Sequence, residues 1–140
     1  MNIKHAVSYV ANKFKYIADK PVYIGDTWSV LPEINNTMSG DCDDFAITVL
    51  WLACDRSRLK FLVNVLLLHR YKLYHCKTFT GEPHIVGYAQ GLWFDNFSLQ
   101  ALPKKEFFLL TAHKKYIFYP GIIIAWYLLL GFVVKLYKKL

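Results

Sequence analysis

The sequence predicts an α+β domain followed by a C-terminal transmembrane helix. Three observations carry this reading. Phe45 to Ala53 is apolar on nearly every side, the pattern of a central buried helix. His84–Ala89 and Leu92–Phe97 read as two short strands around Gln90-Gly91, a hairpin signal. Tyr116–Val134 runs 19 residues without a charge, between Lys114-Lys115 and Lys135, Lys138 and Lys139. An apolar run of about 18 residues or more is long enough to span a bilayer.

The elements follow in order. Ile3, Val7, Val10, Phe14 and Ile17 recur at helical spacing, which predicts an amphipathic helix over 2–17. Asp19 to Gly25, with Pro21, reads as a loop, and the irregular stretch continues from Asp26 to Gly40. Asp41 is placed to cap the buried helix, with Asp44 as its partner at the third helical position. Asp55-Arg56-Ser57-Arg58 ends that helix. Phe61 to Leu68 is short and rich in Val and Leu, and reads as an interior strand. Arg70 to His75 extends it or pairs with it, and Thr78 to Pro83 is a turn. The domain is expected to span 1–113 and the membrane segment 114–140.

Composition narrows the function. With 140 residues, 55% of them hydrophobic and 19% charged, the chain can fold but cannot hold a multidomain enzyme. Three cysteines do not make a disulfide scaffold, so reduced thiols are expected. The net charge is +7, yet residues 1–113 hold 12 basic against 10 acidic residues, while 114–140 hold five lysines and no acid. The basic excess therefore brackets the apolar span and fits lipid headgroups rather than nucleic acid. No signal-peptide pattern follows Met1, so the domain is expected in the cytoplasm with the helix as a C-terminal anchor. Four lysines before the span and three after it are too balanced for the positive-inside rule to set orientation.

The chemistry concentrates in Gly40-Asp41-Cys42-Asp43-Asp44-Phe45-Ala46. A cysteine in the first turn of a helix feels the positive end of the helix dipole, which favours thiolate, while the flanking aspartates oppose it. A cysteine nucleophile needs a histidine, and the histidine an orienting acceptor. If Gln90-Gly91 is a two-residue loop, Ala89 pairs with Leu92 and Val86 with Asp95, so His84 and Asp95 share one sheet face as diagonal neighbours. A three-residue loop would put Asn96 there instead. Each residue also has a plainer reading: Cys42 as core packing, His84 as an ordinary strand histidine, Asp41 and Asp44 as caps. His69, His75 and Cys76 lack the spacing of a zinc site, Cys54 reads as core, and His5 and His113 read as solvated.

Asp26-Thr27-Trp28, Pro32-Glu33, the Gly40–Ala46 segment, Pro83-His84-Ile85-Val86 and Leu92-Trp93-Phe94-Asp95-Asn96 together resemble the bacterial transglutaminase-like cysteine peptidase family, over roughly Tyr23 to Pro103. Phe45 stands where that pattern often has tyrosine, and Ile85 where it has a small residue. The resemblance implies a papain-like core, in which the cysteine helix packs on an antiparallel sheet carrying His and Asp. It implies Cys42 as nucleophile, His84 as general base and later acid, and Asp95 as its orienter. The Cys42 N–H would form part of the oxyanion hole, with Trp28 and Asn96 supporting the oxyanion or the triad. Asp41 and Asp43 would be calcium ligands, while the hydrolysis itself requires no cofactor. The expected activity is that of a membrane-anchored thiol hydrolase acting on a protein or peptide amide, with acyl transfer to an amine as a variant. The alternative is a non-catalytic, membrane-tethered protein-binding module on the same fold.

Overall fold

The structure, a computed structural model, describes residues 1–17 and 27–140. The loop expected at 19–25 and Asp26 of the Asp-Thr-Trp motif lie outside the described residues. The fold is mixed α and β, built on a four-stranded antiparallel sheet and ending in one long apolar helix.

Helix α1 (Ile3–Ala11) starts at Asn2, whose side chain accepts the Lys4 N–H, and buries Ile3, Ala6, Val7 and Val10 as one stripe. The sequence extends that stripe to Phe14 and Ile17, but the helix stops at Asn12. Phe14–Tyr16 forms β1, paired in parallel with β2 (Met38–Gly40). Phe14 stays partly buried, as its helical spacing implied, with its ring meeting Phe45 edge-on at 4.9 Å. Tertiary pairing thus satisfies the same apolar position in another conformation.

Helix α2 (Cys42–Ala53) is the core of the molecule, with Phe45, Ala46, Ile47, Val49 and Leu50 fully buried. Asp41 caps it by accepting the Asp44 N–H at 3.3 Å, as the sequence predicts. A Cβ on Gly40 would lie 2.7 Å from Leu31 Cδ2 and 2.9 Å from Asp44 Oδ2, so any larger residue would displace these side chains beside the cap.

The strand expected at 61–68 is helical instead. Ser57 accepts the Lys60 N–H and starts α3 (Arg58–Phe61), which runs into a π-helical segment, Leu62–Leu67. Phe61 and Val65, four apart, face the core, while Leu62, Leu67 and Leu68 are exposed. A short Val/Leu run carries no periodicity that separates strand from helix, and the serine cap decides.

Strands β3 (Lys72–Lys77), β4 (Pro83–Ala89), β5 (Leu92–Phe94) and β6 (Lys114–Phe118) form the sheet in the order β5-β4-β3-β6. The β4–β5 turn is a two-residue loop with Ala89 opposite Leu92. Gln90 and Gly91 have φ of 53° and 81°, the left-handed pair that matches strand twist in a tight hairpin. One sheet face carries Leu73, Ile85, Ala89 and Phe94 into the core shared with α1 and α2. The other carries Cys76 and Val86 against Phe107 of α4 (Lys104–Thr111). The domain boundary expected at 113/114 falls directly before β6, which pairs with β3.

The C-terminal helix α5 (Gly121–Lys139) is long and apolar enough to cross a membrane. It begins five residues later than the uncharged run, because Tyr116–Phe118 belongs to β6. It also docks on the domain. The Gly121 N–H donates to His69 Nε2 at 2.9 Å, Ile124 is fully buried, and Trp28 stacks on Tyr127 with centroids 4.6 Å apart. A Cβ on Gly131 would lie 2.2 Å from the Trp28 carbonyl oxygen. Gly131→Ala is therefore expected to loosen α5 and lower stability by about 1–3 kcal/mol, the usual range for overpacking. Thermal unfolding and proteolysis within α5 check this; an unchanged melting temperature with unchanged protection would show that the contact is not formed.

Candidate functional site

The first turn of α2 and the start of β4 meet at a cavity of about 490 Å³, lined by Tyr16, Cys42, Thr78, His84, Asn96 and Phe97 among others. Cys42 is the first residue of α2 and half-buried, and the Ile85 N–H lies against its sulfur. The hairpin register explains how the histidine finds its partner. With Ala89 opposite Leu92, the pairing extrapolates to Val86 opposite Asp95, and His84 lies two residues along on the same face. His84 Nε2 is 2.8 Å from Asp95 Oδ2, and both side chains are buried.

Asp95 follows β5 and is completely buried. Its Oδ1 accepts the Ser98 N–H at 2.7 Å and the Phe97 N–H at 3.2 Å. Burial by itself would push this carboxyl up. The hydrogen bonds from His113, His84 and the Ser98 N–H outweigh burial and hold it well below the usual carboxylate range. An ionised carboxylate only accepts, so each bound histidine Nε2 carries a proton. For His84 this leaves Nδ1 as the nitrogen not bonded to Asp95.

His113 corrects the sequence reading. It is buried, and its Nε2 donates to the same Asp95 Oδ2 at 2.7 Å. Its ring centroid is 4.7 Å from that of His84. Nothing local marks it, because it follows Ala112 in a left-handed turn after α4 and reaches Asp95 only through the packing of that helix. His84, Asp95 and His113 each offer a metal-ligand atom within 4.8 Å of the others. A metal would need both Nε2 atoms deprotonated, and a ligating histidine donates its other N–H to a partner. His113 Nδ1 is buried without a partner among the described residues, which favours one carboxylate shared by two imidazoles.

The thiol departs from the expectation drawn from the helix dipole. Burial first, then the charge of Asp41, pushes Cys42 up to about 12. These surroundings favour the neutral thiol over the thiolate, and the helix N-terminus does not offset them.

Asn96 lines the cavity with Cys42 and His84, and its Oδ1 is buried without a partner among the described residues. Trp28 is not among the cavity residues; it packs between Tyr119 and Tyr127, beneath α5. Asp41, Asp43 and Asp44 cluster behind Cys42, with carboxylate oxygens within 4.8 Å of one another. Asp44 Oδ1 accepts the Ser29 N–H at 2.9 Å, while Asp43 Oδ1 is buried without a partner among the described residues. Burial, then its hydrogen bond to Asp41 and the neighbouring carboxylates, pushes Asp43 far above the usual carboxylate range. No protein-family model, curated protein or solved structure matches the chain.

Proposed function

We propose that the chain is a membrane-attached thiol hydrolase with a papain-like arrangement of nucleophile and base, acting on an amide bond of a protein or peptide. The observation that carries this is the shared cavity. A cysteine on a helix N-terminus and a histidine held by a buried carboxylate line the same opening.

Because the surroundings of Cys42 favour the neutral thiol, attack is coupled to proton transfer. The Cys42 proton moves to His84 Nδ1 as sulfur adds to the amide carbonyl. The oxyanion meets N–H groups of the first turn of α2, which have no intrahelical partners. His84 then protonates the leaving amine as the C–N bond breaks, and a thioester remains. A water molecule, giving its proton to His84, attacks the thioester and returns the acid and the free thiol; an amine in its place would give acyl transfer. Asp95 holds the imidazole tautomer throughout and stabilises its cation.

The acidic cluster fits a hard divalent cation, since it offers oxygen ligands and an unpartnered buried carboxylate oxygen. Asp41, Asp43 and Asp44 would hold calcium there. Its charge would offset that of Asp41, which adds to burial in raising the Cys42 thiol.

The competing reading is a membrane-tethered protein-binding module on the same fold, and the raised thiol favours it. Alkylation of Cys42 by iodoacetamide, followed by mass spectrometry of the peptide, separates the two. For the hydrolase, His84→Ala is expected to slow labelling at neutral pH by about a hundredfold, the usual contribution of a positioned base. Equal labelling rates in the two proteins would remove the base and leave the binding module.

A further inference from the structure

We infer that α5 does not cross the bilayer but lies in the plane of an anionic membrane surface, seating the domain on lipid by the helix face opposite its docking face. The inference rests on the membrane attachment proposed above and specifies its geometry. Length counts against a crossing. Between Gly121 and the first charge at Lys135 the helix has 14 uncharged residues. At about 1.5 Å per residue they reach about 21 Å, and the 19-residue helix approaches a hydrocarbon core of about 30 Å only if Lys135, Lys138 and Lys139 enter it. The residues that made the run long enough in the sequence, Tyr116 to Phe118, are held in β6.

The helix is already occupied on one side. Gly121, Ile124, Leu128 and Gly131 form a stripe of three- and four-residue steps against the domain. Gly121 sits against the Leu66 backbone and Gly131 against that of Trp28, so 11 of the 14 uncharged residues lie between two points fastened to the fold. A spanning helix would draw the domain into the bilayer with it.

The opposite stripe is apolar and open. Ile122, Trp126, Leu129, Val133 and Leu136 recur at the same helical steps and are between 48% and 78% exposed. On the π-helical segment that packs against α5, Leu67 and Leu68 are exposed as well. Lys135, Lys138 and Lys139 project toward the side of the docked stripe, beyond the last contact with Trp28, so the outward face keeps no charge from Ile122 to Leu136. An apolar face backed by lysines is the pattern of an interfacial helix, and the net charge of +5 over 114–140 selects anionic headgroups.

The test adds the full chain, diluted from detergent, to sealed phosphatidylcholine vesicles with and without phosphatidylglycerol. Co-sedimentation is expected with the anionic vesicles, and quenching of Trp126 by brominated acyl chains should accompany it. A protease-cleavable tag after Leu140 should remain accessible from outside. Replacing Lys135, Lys138 and Lys139 by glutamine is expected to weaken binding by about tenfold or more, at about 1 kcal/mol per lysine. Leu129→Glu with Val133→Glu should abolish binding with an unchanged circular dichroism spectrum. Bound protein with its tag protected inside the vesicles would overturn the surface seat but leave membrane attachment standing. Failure to bind either vesicle would overturn both, and a dimer that those two glutamates dissociate would then identify a second copy as the occupant.

Discussion

Asp95→Ala is expected to lose on the order of 3–5 kcal/mol of folding stability, the range for removing one partner of a buried ionic cluster. The carboxylate accepts from His84, His113, Ser98 and Phe97, and is completely inaccessible to solvent. Its removal leaves two imidazole N–H groups and two backbone N–H groups without acceptors in a closed interior. The pH dependence has a definite sign. The folded carboxyl is depressed, so its contribution is complete above the unfolded value of about 3.9 and is lost as pH falls below it. Urea unfolding should show a constant gap between wild type and variant from about pH 5 to neutrality, closing below about pH 4. A variant with the wild-type midpoint at neutral pH would show that the shared carboxylate does not hold the site together. Asp95→Asn separates structure from chemistry: it preserves the shape but offers no anion, so the fold should survive better than the Cys42–His84 labelling rate.

Asp43→Asn is expected to act in the opposite direction and stabilise the protein at neutral pH. Asp43 is 3% exposed, and burial, Asp41 and Asp44 disfavour its charge. A carboxyl raised in the folded state stabilises fully below the unfolded value of about 3.9 and progressively less as pH rises. Asparagine is neutral at every pH and can donate an N–H to Asp41. The expected gain at pH 7 is on the order of 2 kcal/mol or more, vanishing near pH 4. Thermal unfolding across that range checks it, and a variant less stable than wild type at pH 7 would contradict it. Calcium links this to function. If the cluster holds the ion, added calcium should raise the melting temperature of wild type and do so much less in Asp43→Asn. A shift of equal size in both proteins would place any calcium elsewhere.

Much of the site was legible because it depends on local rules. Asp41 caps α2 through a contact spanning three residues, and its side chain reaches no further than the turn it starts. The His84–Asp95 pair follows from side-chain alternation and a two-residue loop, so register alone brings together groups 11 positions apart. His113 had no such route. It meets Asp95 from 18 positions away because α4 packs Phe107 against Val86 and Cys76 on the outer face of the sheet. The state of Cys42 was hidden for a related reason. A helix N-terminus and three acids are visible in the sequence, but how strongly each acts depends on burial, which is a property of the assembled fold.

Two misread elements make the same point. Phe14 and the 61–68 run have apolar spacings that fit more than one conformation, and neighbouring segments select among them: β2 for the first, the Ser57 cap and the core for the second. By itself the sequence determined α2 and its cap and narrowed the partner of His84 to Asp95 or Asn96, because local hydrogen bonds and side-chain alternation set them; the two-residue register of the β4–β5 hairpin then chose Asp95. Only the tertiary structure decided the second histidine on Asp95, the neutral thiol, the recruitment of Tyr116–Phe118 into the sheet and the docking of α5. Each of these depends on contacts between distant segments, whose energies come from burial and from the loss of water around buried groups.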